Sequence, residues 1–397
     1  PSVVTATDQN NEIIVRGGGP GENLFVMDHL EIPNPNHFGE VGSGGGPVSI
    51  LNTEFVERVD FFPGAYPARY GDKQSSVMDI SLREGSYSDN EIDLEMSMAG
   101  VGLLFEGPFA KGKGSYIGSF RQSFLKHLIK AAGLTAVPGY YNSQLKVTYN
   151  LSNRKKIMFN AVGGNDYVSI EDENRPDMQG AENVNYKGYQ YTVGLTYKSL
   201  LLDKGYTLFS IGKTATNWNA DVYSLDGGVK ETFFSRDNIE SDNFVKWDVI
   251  YKFFDNMEIS SGLNFKYGEY KMNEVLNPDT VFFYNYDELN VFSTIDDYYV
   301  MLEANPNYNY SVAGIRTINK GFSNTASGGL WKYAAYSQIK YKIHDFVLIH
   351  GIRYDNVPFN NTSQFSIFEL FIANKFNLVN GCFISLINIK DNIYSII

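Results

Sequence analysis

The chain has 397 residues and a formal net charge of −12, a sign that excludes the basic footprint of a nucleic-acid binder. No apolar run reaches the roughly 18 residues a membrane-spanning helix needs, so any membrane crossing must use strands. A single cysteine, Cys382, excludes an internal disulfide framework and a paired-cysteine metal site.

In chain order, composition changes near residue 85. Residues 1–85 are glycine-rich, with short strand-like pieces at Ile13–Arg16, Leu24–Ile32, Val56–Phe62 and Val77–Leu82. After Ser86 long strands follow one another, at about 91–107, 115–124, 143–151, 156–164, 187–200, 206–220, 243–254, 257–272, 330–343 and 346–355. Their period is two. In the segment Met257–Tyr267, Met257, Ile259, Leu263, Phe265 and Tyr267 point one way, while Glu258, Ser260, Gly262, Asn264 and Lys266 point the other. Leu145–Leu151, Tyr189–Tyr197 and Val245–Phe253 repeat the pattern, and Lys146, Lys198, Lys246, Asp248 and Lys266 all fall in the polar set. A Lys on the opposite, lipid-facing side at mid-depth would cost about 2–4 kcal/mol.

Short connections at Ser152–Arg154, Asp203–Gly205, Asp255–Asn256 and His344–Asp345 alternate with long ones at 165–185, 221–231 and about 273–327. That regularity is expected of a transmembrane β-barrel, with tight turns at one face and long loops at the other. A propeller or sandwich would mix loop lengths at both ends, and no 40–50-residue blade repeat is present. Residues 122–135 read as a helical turn in an early loop. Beyond Ile367 the alternation fails, so 367–397 reads as an irregular tail lacking a terminal aromatic.

The glycine-rich segment carries a string of motifs: Ile14-Val15-Arg16-Gly17, Leu24 through Pro33, Phe55-Val56-Glu57-Arg58-Val59-Asp60-Phe61, Pro63-Gly64, Ala68-Arg69-Tyr70-Gly71 and Ser75 through Ile80. In this order they resemble the plug of TonB-dependent outer-membrane receptors. Two departures stand out: His29 follows Asp28 where the family has glycine, and Ser75-Ser76 replaces a Gly-Gly pair.

The resemblance implies an all-β membrane protein: an α+β plug over 1–85, then a partial antiparallel barrel over 86–397. A plugged lumen belongs to barrels of about 22 strands, yet only about a dozen fit here, so the chain reads as a receptor truncated at both ends. Its implied place is the bacterial outer membrane. Its implied partners are a TonB-type inner-membrane energy-transducing complex, an extracellular solute, outer-membrane lipid and a surface lipoprotein. Its implied work is energy-coupled uptake of a scarce bulky solute such as a siderophore, cobalamin or glycan. An adhesin or signal-transducing receptor on the same architecture is the rival reading, and a soluble multi-sheet protein is a third.

No bond-making constellation is visible, so neither enzymatic activity nor a cofactor is expected. Gly17-Gly18-Gly19-Pro20-Gly21 lacks the Lys-Ser/Thr and helix of a phosphate loop, and the five histidines lack metal-ligand spacing. For solute contact the expected residues are Arg16, Asn34, Asn36, His37, Phe38 and Tyr70 at the plug apex, with Asn-Pro-Asn as a plain turn the competing reading. Arg16, Glu57, Arg58, Asp60 and Arg69 are the expected ionic contacts between plug and barrel, against ordinary salt bridges inside the plug.

Overall fold

The computed structural model describes residues 3–5, 10–40, 42–64, 66–97, 100–124, 136–170, 183–226, 229–284, 312–319, 321–344, 346–358, 362–373, 378–381 and 385–388. The N-terminal domain centres on a four-stranded sheet of β1 (Asn23–Met27), β2 (Leu30–Ile32), β3 (Val56–Phe62) and β4 (Ser76–Leu82), in the order β2-β1-β4-β3. Strand β1 is parallel to β4 and buried on both faces, which its uninterrupted apolar run requires. Phe25 and Met27 enter one core, while Leu24 and Val26 pack with Tyr66, Tyr70 and Val77 in a second. The plug was expected to be α+β. Its described residues hold two 3-10 turns, Pro20–Glu22 and Thr53–Phe55, and no α-helix.

The β1–β2 turn explains what His29 costs. Asp28 has φ 44° and His29 φ 72°, in the left-handed region where a Cβ crowds the following carbonyl and only glycine is unstrained. His29→Gly should therefore stabilise the plug by about 1 kcal/mol, read as a higher midpoint for plug unfolding in denaturant. The Ser75-Ser76 departure is better accommodated. Both side chains are buried, with Ser75 Oγ donating to Val15 O at 2.9 Å and Ser76 Oγ to Asn23 Oδ1 at 2.6 Å.

The rest of the chain is one antiparallel meander: β5 (Glu91–Met96), β6 (Gly100–Phe109), β7 (Gly114–Ser123), β8 (Ala136–Ser152), β9 (Lys155–Ile170), β10 (Asn183–Leu201), β11 (Gly205–Asp226), β12 (Val229–Phe254), β13 (Met257–Leu276), β14 (Phe322–Ile343), β15 (Phe346–Val357) and β16 (Thr362–Ala373). Two short strands, Leu378–Gly381 and Ser385–Asn388, pair on β16. The tight turns at 152–154, 203–205 and 255–256 fall where expected, at one end of the sheet, while Asp345 of the fourth lies outside the described residues.

At the other end several expected loops are strand. Of residues 221–231, 221–226 continue β11 and 229–231 begin β12, with Asp226 paired to Val229, and an additional hairpin, Asp279–Tyr284 with Val312–Asn319, lies between β13 and β14. Strand β12 has 26 residues, about 85 Å of extended chain, whereas a bilayer needs about 9–11 residues per strand. The long hairpins are therefore more than twice as long as a bilayer crossing requires. The tail starts more regularly than its sequence suggests, because β16 pairs with β15 through Ala373 without a register shift. Residues 125–135, which hold most of the expected helical turn, lie outside the described residues, as does Cys382.

Facing follows the two-residue period. Tyr189, Tyr191, Leu195, Phe209, Ile211, Trp247, Leu263 and Phe265 are exposed on the outer face, the band that lipid would cover. On the inner face each of ten successive strands, β6 to β15, touches the small domain, from Glu106 with Arg83 to Arg353 with the carbonyls of Ala68 and Arg69. Ten consecutive strands can touch one small body only if the sheet curls around it. The plug core continues into the wall through Leu104, Ile117 and Val162.

Candidate functional site

Buried charge joins plug to wall. Lys266 and Lys246 both reach the Glu31 carboxylate, and Lys266 also bonds Asp72 at 2.8 Å. Lys146 pairs with Asp28 at 2.7 Å and Lys156 with Glu84. Lys146 and Lys266 are only 4% and 7% exposed, so the partners are what make these buried ammoniums tolerable. Burial alone would raise the Glu31 carboxyl, but Lys246 and Lys266 outweigh it and hold that group far below the usual carboxylate range. Lys266 likewise holds Asp72 down.

The sign of the pH dependence follows. Groups depressed in the folded state contribute their full stability above their ordinary value, 4.5 for Glu31, and lose it as pH falls towards the folded value. Amide exchange of Leu24–Ile32 in the full-length protein should be flat from neutral pH to about 5 and lose protection progressively below about 4.5.

The charged residues expected at this junction lie elsewhere. Arg58 pairs with Asp60 on its own strand, at 3.0 Å and largely exposed. Arg69 bonds Asp79 at 2.7 Å inside the plug, its guanidinium 4.5 Å from the Tyr70 ring centroid. Glu57 is exposed, and Arg16 (φ 50°) lies exposed along Gly64. The ordinary salt bridges inside the plug describe Arg58, Asp60 and Arg69. The signal overlooked was the inward lysines: Lys146, Lys246 and Lys266 each need a buried acid, and the plug supplies it.

The apex residues are largely consumed in holding the apex. Asn34 Nδ2 donates to Gly45 O at 2.8 Å and its Oδ1 accepts the Asn36 amide at 2.9 Å. Asn36 Nδ2 donates to Gly44 O at 3.1 Å. His37, fully buried, pairs with Asp166 of β9 and stacks 4.5 Å from the Tyr140 ring, and the Phe38 amide donates to the same carboxylate at 2.7 Å. Tyr70 donates to Asp79 at 2.5 Å, facing the seam. Arg16 is not near this group. Beside Tyr70, Gly71 has a steric reason: a Cβ there would lie 2.5 Å from the Arg353 guanidinium carbon.

Between the apex and the wall lies a cavity of about 340 Å³. Of the expected residues Asn34 borders it; the others that do so were not foreseen, among them Gln190, Thr214, Thr216, Trp218, Glu240 and Asp242. It opens on the side of the plug that faces the long hairpins. A pocket of about 50 Å³ lined by Glu31, Tyr70, Asp72 and Lys246 shares Glu31 and Asp72 with it, and a third cavity of about 610 Å³, lined by Glu57, Lys146 and Lys156, lies at the short-turn end. Among the described residues no group of three or more His, Cys, Asp or Glu is arranged to hold a metal ion.

In fold this arrangement is similar to that of TonB-dependent outer-membrane receptors. The outer membrane transporter YddB from Escherichia coli matches with a TM-score of 0.58 and 11% identity, over 92% of this chain and 52% of its own. Pseudomonas aeruginosa FpvA, in an iron complex with a heterologous pyoverdine, matches at 0.58 and 12%, over 97% of this chain and 50% of its own. The FrpB iron transporter from Neisseria meningitidis gives 0.55 and 13%, over 94% and 58%. The chain thus spans about half the length of the structures it matches. No protein-family model and no curated protein sequence matches it.

Proposed function

We propose that this chain forms the plug and adjoining wall of an outer-membrane receptor that takes up a bulky solute by energy-coupled displacement of the plug. The observation that carries the reading is the plug itself: a small domain held on the lumen face by a few buried ion pairs, with a cavity on one side and a second cavity on the other. Similar folds include transporters and siderophore receptors by name, which supports uptake and leaves the solute to be found. A TonB-type inner-membrane complex supplies the force in this reading, and a surface lipoprotein would assist capture. In this reading the receptor binds and passes a solute and makes or breaks no bond.

Deletion of the parent gene, followed by uptake assays with iron chelates, cobalamin and glycans, tests the proposal. Loss of uptake of one class is expected; unchanged uptake and binding of all three would remove its basis. The tall hairpins favour a second reading, attachment or signalling, because strands such as β12 reach far beyond a bilayer and present surface to a partner protein. Under that reading cell adhesion or a transcriptional response changes on deletion while uptake does not.

A further inference from the structure

The seat of the plug is uneven, and the unevenness places the passage, an inference that rests on the uptake reading. Towards β6–β9 the seam is apolar and closed. Leu104 of β6, Ile117 of β7 and Val162 of β9 are buried in one cluster with Ile50, Phe55 and Ile80 of the plug. The chain itself ties this side, because the plug runs on into β5, which pairs with β6. There Arg83 holds Glu106 of β6 through two bonds at 2.8 and 2.7 Å, and the Ser86 amide donates to the same carboxylate at 2.8 Å. Arg121 of β7 adds bonds to the carbonyls of Ser49 and Leu51 at 3.0 and 3.1 Å.

Towards β11–β14 the seam is polar and hollow. The second plug core, Leu24, Val26, Tyr66, Tyr70 and Val77, includes no wall residue among the described ones. Contact is made instead by Lys246 and Lys266 with Glu31 and Asp72, and by Gln338 Oε1, which accepts the Ala68 amide at 3.0 Å. The pocket of about 50 Å³ lies in this seam, against Leu208, Lys246, Asn264 and Tyr336 of β11–β14. It shares Leu24, Glu31 and Asp72 with the apex cavity, and His29, Arg69 and Asp79 with the short-turn cavity. The three spaces therefore adjoin one another from the apex to the short turns.

The two sides differ in what it costs to part them. Separating apolar surfaces gives up stabilisation in proportion to the area exposed. Parted ion pairs regain the water that each charge lost on burial, which offsets much of the lost attraction. A hollow seam also has fewer packed atoms to pull apart. We infer that the plug is hinged on β6–β9 and opens from β11–β14, and that the solute passes along the three adjoining cavities. Glu31, Asp72 and Lys246, which line the middle pocket, separate when it opens, while the apolar cluster around Ile117 stays closed.

Full-length protein carrying Cys382→Ser tests this without a cargo. Ser119 of β7 and Ser210 of β11 are buried positions of the wall on the two sides, and each is replaced by cysteine in turn. At urea concentrations that leave heat-modifiable migration of the barrel unchanged, Ser210→Cys should react with a maleimide about tenfold faster than Ser119→Cys, a difference of about 1.4 kcal/mol in the cost of opening. Equal rates would mean a plug released whole, faster reaction of Ser119→Cys a plug released from the other side, and either would overturn the inference. In cells, a reducible bis-thiosulfonate bridge between Ser49→Cys and Arg121→Cys should leave uptake of iron chelates, cobalamin or glycans at the rate of the same variant before bridging. Arrest of uptake by that bridge would also overturn it. A receptor that takes up none of these solutes removes the uptake reading, and the order of labelling then still tests the hinge.

Discussion

Replacing Lys266 by Met should unseat the plug more than any other single change in the wall. The ammonium is 7% exposed and bridges Glu31 to Asp72, so its loss leaves Glu31 with Lys246 alone and Asp72 with only Lys332, 3.8 Å away. Removing one partner of such a buried set costs about 3–5 kcal/mol. In the full-length protein this should appear as rapid proteolysis within Gly39–Gly46 and fast amide exchange in β1 and β2, with the barrel still protected. Adding Asp72→Asn to Lys266→Met should restore much of the protection, because a stranded charge is the source of the penalty. An equal effect from exposed Lys340→Ala would show that the assay reads general fragility instead.

The second large effect concerns the 397-residue chain by itself. Among the described residues β5 pairs with β6 alone, so its other edge has no strand partner. The side chains of Ile92, Leu94 and Met96 are 71–82% exposed. In lipid every unpaired N–H and C=O on such an edge costs several kcal/mol. Expressed alone and refolded in detergent, the chain should migrate identically with and without heating and should yield to protease. A heat-modifiable, protease-resistant band would mean that the sheet closes, by self-association or by pairing between its two ends.

How much of this was legible depends on whether a feature is local. The lipid-facing stripe of β13 and the turn at Asp255–Asn256 are written within a few residues, and both could be read directly. The plug sheet was legible through its motifs, and so was the departure at His29, though its cost shows only in the φ of 72° that the turn imposes. Residues 221–226 and 229–231 were misjudged as loop because strand beyond the length of a bilayer crossing needs no apolar face and so loses the alternation that marks a lipid-facing strand. The contacts between plug and wall were illegible for a different reason. His37 meets Asp166 across 129 positions and Glu31 meets Lys266 across 235, and only the curl of the sheet around the plug brings them together. Charges adjacent in sequence, Arg58 and Asp60, satisfied each other instead.

The central claim is that solute passes only when the plug leaves its seat on this wall. In full-length receptor carrying Cys382→Ser, cysteines introduced by Asp72→Cys and Lys332→Cys replace an ion pair 3.8 Å apart that links the plug to β14. A reducible bis-thiosulfonate cross-linker can then bridge them in intact cells. Uptake of the cognate solute should stop while the bridge is in place, with surface binding unchanged, and should return when a reductant cuts it. Uptake at the full rate with the bridge demonstrably intact would contradict the account.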